Sequence, residues 1–185
     1  MIDAGTDSDH DPASLAGDVT LRDGRVVHLR ASCLADEGEL LQAFERMSQE
    51  ARYMRFMHVV REPNRDRLRS VLASFPECGI GIVATVPADD GIDIVGSTIA
   101  VFGSDRTRCE FAISVASRFN RAGLATVLMT ALIDEAHRRG IKEMEGFVLS
   151  ENEPMLRLAK RLGFKVKLDP DDASVRICRL TLGDR

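Results

Sequence analysis

One passage from strand to turn to helix constrains this chain more than any other. The run "RCEFAISV" (residues 108–115) reads as a β-strand. The polar turn "ASRFNRAG" follows. Leu124, Val127, Leu128, Ala131 and Leu132 then recur at the 3.6-residue period of a helix that ends at Gly140. Gly140 followed by Ile141 has the form of a left-handed cap with an apolar residue after it. A strand that passes directly into a helix implies a mixed α/β chain.

The flanking segments supply the rest of the order. "VTLRDGRVVHLRAS" (residues 19–32) sets Asp23-Gly24 between two short alternating runs, a hairpin signal. Leu40, Leu41, Phe44 and Met47 predict a helix over 36–47, and Leu68, Val71 and Leu72 predict a second over 66–74. "GIGIVATV" (79–86) predicts a buried strand that Asp90-Gly91 turns into "IDIVGSTIAVF" (92–102). After the long helix come a strand over 143–150 and a helix capped by Asn152, with Pro154 in its first turn and Gly163-Phe164 at its end. Strands over 164–168 and 174–182 finish the chain. The expected architecture is α/β, with a mixed, mostly antiparallel central sheet and helices on both faces.

A chain of 185 residues suits one well-cored domain. Its net charge of −4 is uneven, because residues 1–18 hold five aspartates and no Lys or Arg. Residues 1–17 read as a disordered acidic tail and 18–185 as a single domain. The body is nearly neutral, so nothing in it demands a nucleic-acid partner. No apolar run approaches the ~20 residues that cross a bilayer, and the N-terminus lacks the basic-then-apolar pattern of a secretory leader. Cys33, Cys78, Cys109 and Cys178 are widely spaced, without a CxxC pair or a histidine at ligand spacing. That pattern implies no metal site and reduced thiols in a cytoplasmic protein.

The turn itself has a chemical meaning. The first amides of a helix lack intrahelical partners and sit at the positive end of its dipole, so they bind anions and above all phosphates. A phosphate reaches them only where the turn is bare. Ala122, Gly123 and Ala125 make it bare, and Arg118 and Arg121 add positive charge at the rim. A glycine needed only for helix–sheet packing is the other reading of the same residues. The GxGxxG of dinucleotide sheets is absent, as is the GKS or GKT of a nucleotide P-loop.

"NRAGLA" (120–125) resembles the Gln/Arg-x-x-Gly-x-Gly/Ala pattern of the GNAT superfamily of acyl-CoA N-acyltransferases, with Asn120 in the Gln/Arg place. "NEPMLRLAKRLGF" (152–164) resembles that superfamily's second cofactor helix. "RDGRVVHLR", "SQEARYMRF" and "CEFAISV" look like the acetyltransferase domain of bacterial Pat-type protein lysine acetyltransferases. The resemblance implies acetyl-CoA as co-substrate. Backbone groups of Asn120, Arg121, Ala122, Gly123, Leu124 and Ala125 would face its diphosphate, Ile113, Val115 and Asn152 its pantetheine arm, and Met155 would also contact the cofactor.

The same resemblance implies acetyl transfer to a primary amine. The amine must lose a proton to attack. Glu110 is the expected base, because it stands where the Pat-like pattern has a glutamate, and Cys109 and Phe111 would surround it with apolar atoms. A backbone N–H near Val115, at a strand distortion, would stabilise the thioester oxygen. Where many members carry a tyrosine acid this chain has Ala159. Its one tyrosine, Tyr53, is expected to pack over the acceptor site. A protein lysine is the first acceptor, and a small-molecule amine and a non-catalytic acyl-CoA sensor are the alternatives. A homodimer is open to the chain. The seven arginines between 46 and 69 read as a solvated helical face, with the border of an anionic acceptor as the competing reading.

Overall fold

The computed structural model describes residues 15–183. The expected acidic tail falls mainly on residues 1–14, outside that span; Leu15 already packs on the core. Strand β1 (Gly17–Thr20) and strand β2 (Val26–Ala31) form the expected hairpin around Asp23-Gly24. Then come α1 (Glu37–Glu45), α2 (Gln49–Phe56) and α3 (Arg65–Ala73), followed by β3 (Gly79–Ala88), β4 (Gly91–Phe102) and β5 (Arg108–Val115). Helix α4 (Leu124–Arg138), β6 (Glu143–Leu149), α5 (Glu153–Arg161), β7 (Lys165–Leu168) and β8 (Val175–Thr181) complete the order.

The eight strands make one sheet in the order β1-β2-β3-β4-β5-β6-β8-β7. Every adjacent pair is antiparallel except β5 and β6. The crossover through α4 makes that pair parallel, as a strand–helix–strand unit requires. Strand β3 is buried along most of its length, which explains its unbroken apolar run.

Helix α4 packs on one face of the sheet. Leu124, Leu128 and Leu132 on it are 0 % exposed, and an added Cβ at Gly96 of β4 would press on Leu124 and Leu128. Thr98 of β4 touches Met129 of α4, and Ala100, two residues on, pairs with Phe111 of β5. Phe111 therefore looks toward α4. Its neighbour Glu110 looks the other way, toward α2, because side chains alternate along a strand.

Helix α2 is one more helix than the sequence reading predicts. Its only large apolar side chains are Tyr53, Met54 and Phe56, none of them buried. It rests instead on local devices: Ser48 caps its first turn by accepting from Ala51 N–H, and Met57 ends it at φ 60°. Phe56 ties it to Phe44 of α1, with the rings 5.8 Å apart.

Candidate active site

Strands β5 and β6 pair only at Arg108–Glu143, Cys109–Met144 and Glu110–Glu145. Beyond that point they part, although β5 stays paired with β4 up to Val115 and β6 with β8 up to Leu149. The gap is wedge-shaped, with Glu110 at its apex. The Ala116 N–H reaches back to the Val95 carbonyl at 2.9 Å. By the two-residue alternation of an antiparallel ladder, the N–H and C=O groups of Phe111, Ile113 and Val115 then point into the gap. Ile113 and Val115, chosen from sequence, therefore lie on an open interior edge.

The wide end of the gap meets the turn before α4. Arg121 at φ 64° and Gly123 at φ 91° are both left-handed. The Asn120 amide bonds to Ser117 O at 3.0 Å and the Ala122 amide to Phe119 O at 3.3 Å. Among the described residues, the amides of Arg121, Gly123, Leu124, Ala125 and Thr126 have no acceptor. Of the six residues expected from sequence, four thus present a free N–H, and Thr126 adds one that the pattern did not suggest. The Leu124 side chain is in the core, so only its backbone faces outward. Arg22 lies against the turn from the β1–β2 hairpin; its N–H bonds to Ala122 O at 3.1 Å, and its side chain borders Gly123. Arg118 does not serve as a rim charge. It pairs with Asp93 at 2.7 Å, and Asp93 also holds Arg46 at 2.6 Å.

The strand distortion expected near Val115 is elsewhere. The β4–β5 register is regular, and the irregularity lies between β3 and β4, where Ala84 faces Gly96 and Thr85 faces Ile94, leaving Val95 over. The apolar setting expected for Glu110 does not come from its chain neighbours. Cys109 and Phe111 are buried on the opposite face, while Glu110 is exposed. Neighbours in a strand are not neighbours in space.

A cavity of about 70 Å³ opens beside Glu110. Met54, Arg55 and Met57 line it from α2 and its C-terminal cap, Phe111, Ala112 and Ile113 from β5, Phe147 and Val148 from β6, and Met155 from α5. Asn152 caps α5, its Oδ1 accepting from Met155 N–H at 3.3 Å, which leaves its Nδ2 uncommitted. Tyr53 is exposed and is not among the lining residues. Ala159 is 0 % exposed. Burial pushes the Arg55 guanidinium down to about 10, with the Glu110 carboxylate opposing and Arg67 adding to the shift. Among the described residues, no group of three or more His, Cys, Asp or Glu side chains is placed to hold a metal, and no helix is long and apolar enough to cross a membrane.

An open interior strand edge that runs into bare helix-start amides is an arrangement for an extended ligand with a phosphate end. The family model for the acetyltransferase (GNAT) domain matches residues 27–165, so the chain belongs to the GNAT acetyltransferase family. It is 31% identical over 163 residues, 88% of each chain, to the acetyltransferase PA5475 of Pseudomonas aeruginosa. Its fold is similar to the GNAT domain of S. lividans PAT, with TM-score 0.83 and 22% identity over 94% of this chain and all of that one. It is also similar in fold to yncA of Salmonella typhimurium, solved with its cofactor acetyl-CoA, with TM-score 0.64 and 20% identity over 86% and 95% of the two chains.

Proposed function

We propose that the chain transfers an acetyl group from acetyl-CoA to a primary amine, a protein lysine, with Glu110 as general base. The observation that carries this reading is the continuity of two open features. The unpaired β5 edge runs from Phe111, just past Glu110, to Val115, and five free amides follow at the head of α4. The amides of Arg121, Gly123, Leu124, Ala125 and Thr126 suit a diphosphate. The backbone groups of Ile113 and Val115 suit the amides of pantetheine, and Asn152 Nδ2 and Met155 stand on the far side of the gap.

Bound acetyl-CoA supplies an activated acyl carbon. Glu110 takes the proton of the attacking amine, directly or through one water. The nitrogen–carbon bond forms as the carbon–sulfur bond breaks, and an N–H of the open β5 edge beside Glu110 donates to the thioester oxygen as it gains charge. With Ala159 buried where a tyrosine acid would stand, the thiolate takes its proton from water, which a thiol pKa of ~8.5 makes tolerable. The narrow cavity suits an unbranched aminoalkyl end. The exposed apolar residues Tyr53, Met57 and Val59 on and after α2, and Val101 opposite Glu110 on β4, favour a polypeptide acceptor.

Thiol release from acetyl-CoA, with a lysine-rich protein and a panel of small amines, tests the reading. Glu110→Gln is expected to keep coenzyme binding and to lose roughly 10²–10⁴-fold in kcat/KM. Full activity in that variant removes Glu110 from the mechanism. Coenzyme binding without thiol release on any acceptor makes the chain a sensor instead.

A further inference from the structure

Among the arginines of its segment, Arg55 alone is half-buried without an acceptor; Arg61, Arg65 and Arg67 also lack one among the described residues but are exposed. Arg46 is held by Asp93 at 2.6 Å, Arg69 by Glu37 at 2.9 Å, and Arg52 by the carbonyls of Glu45 and Arg61 at 3.0 and 3.1 Å. Arg55 lines the cavity of Glu110, and among the described residues nothing accepts a hydrogen bond from it. Its guanidinium rests only on the Phe56 ring, 4.9 Å from the centroid. Phe56 is anchored on Phe44, so the platform under Arg55 is fixed by the packing of α1.

A guanidinium presents five donors in a planar fork that matches a carboxylate. None of the Arg55 nitrogens is fully buried and unsatisfied, so its donors stay open to the cavity, where a ligand carboxylate would gain charged hydrogen bonds from them. Among the described residues, Glu110 is the only carboxylate lining the cavity, and its oxygens stand more than 4.0 Å from the Arg55 guanidinium nitrogens. The two charges stand apart in one small space, one ready for an amine and the other for an anion. We infer that the acceptor carries a carboxylate near its reacting amine, and that Arg55 selects it by hydrogen-bonding that carboxylate in the cavity it shares with Glu110. The inference rests on the acetyl-transfer reading. The carboxylate belongs either to a small acceptor itself or to an Asp or Glu beside the target lysine.

Two matched pairs separate these sources. Free lysine is compared with 1,5-diaminopentane, and a blocked peptide with Asp beside its lysine with the same peptide carrying Asn. A charged hydrogen bond of ~1.5–3 kcal/mol corresponds to a preference of roughly tenfold or more in kcat/KM. Wild type should show it in one pair, and Arg55→Gln should bring that ratio to about one. Arg55→Lys, which keeps charge without the fork, should fall between. No preference in either pair, or a ratio that Arg55→Gln leaves unchanged, overturns the inference. Binding is read separately by calorimetry with Nε-acetyl-lysine and its amide. Tighter binding of the free carboxylate by wild type, lost in Arg55→Gln, supports Arg55 even if no acceptor turns over and acetyl transfer itself fails. Equal binding of the two, together with no preference in the peptide pair, counts against it.

Discussion

Replacing Gly123 with alanine separates two reasons for a glycine at the head of α4. Gly123 has φ 91°, and an added Cβ would lie 3.4 Å from Arg22 Cγ and Nε. That distance is ordinary contact, so backbone conformation is the main cost. A left-handed L-residue costs ~1–2 kcal/mol, and the stiffer unfolded chain offsets ~0.4–1 kcal/mol. The net loss is about 1 kcal/mol, or ~2–4 °C in Tm for a chain of this size. Coenzyme affinity should respond far more. As φ relaxes, the amides from Gly123 to Ala125 turn away from a common point. Losing even one charged hydrogen bond of ~1.5–3 kcal/mol weakens Kd roughly ten- to a hundredfold. Calorimetry with coenzyme A beside thermal melts gives both numbers. If Tm falls and Kd stays within about twofold, the glycine serves packing alone, and the diphosphate site is not here.

Gly146→Ala on β6 would drive a methyl group into the Phe111 ring, which Phe164 holds at 5.2 Å. A loss of ~1–3 kcal/mol is expected in urea titrations, and Phe111→Leu in the same background should recover part of it; additive effects of the two changes would refute the overlap. Burial alone would push the Asp36 carboxyl up, but Arg30 at 2.6 and 2.8 Å and the Cys33 N–H at 2.9 Å hold it below the usual range. Its contribution is therefore present above about pH 4 and is lost as pH falls through the lowered value. Asp36→Asn should cost about 3 kcal/mol at neutral pH, and its gap to wild type should close on acidification. Burial pushes the Cys109 thiol up to about 12 and Cys178 to about 11. Iodoacetamide on the native protein, read by mass spectrometry, should modify the exposed Cys33 and Cys78 and spare the other two.

The elements that sequence reveals best are those whose side chains repeat. Strand β5 and helix α4 carry clean periods, and their boundaries follow from them. Helix α2 has no such period, because it packs few apolar side chains and rests on a serine cap and a left-handed end. The site divides the same way. Gly123 and the edge positions Ile113 and Val115 are legible, since they follow from local chain geometry. The surroundings of Glu110 are not, because Arg55 shares its cavity from fifty-five residues earlier in the chain. Arg118 illustrates the converse: its partner Asp93 lies in another strand, and no local pattern announces that its charge is already committed.

The early parting of β5 from β6 has a further result. Each strand is clamped on its outer side by a full ladder, so the slot cannot widen without unravelling half the sheet. A second protein chain seeking a free border would find this one enclosed, unlike the outer margins at β1 and β7. A slender guest with amides of its own fits between such walls. Selectivity for that shape is therefore built into the weave, before any side chain takes part.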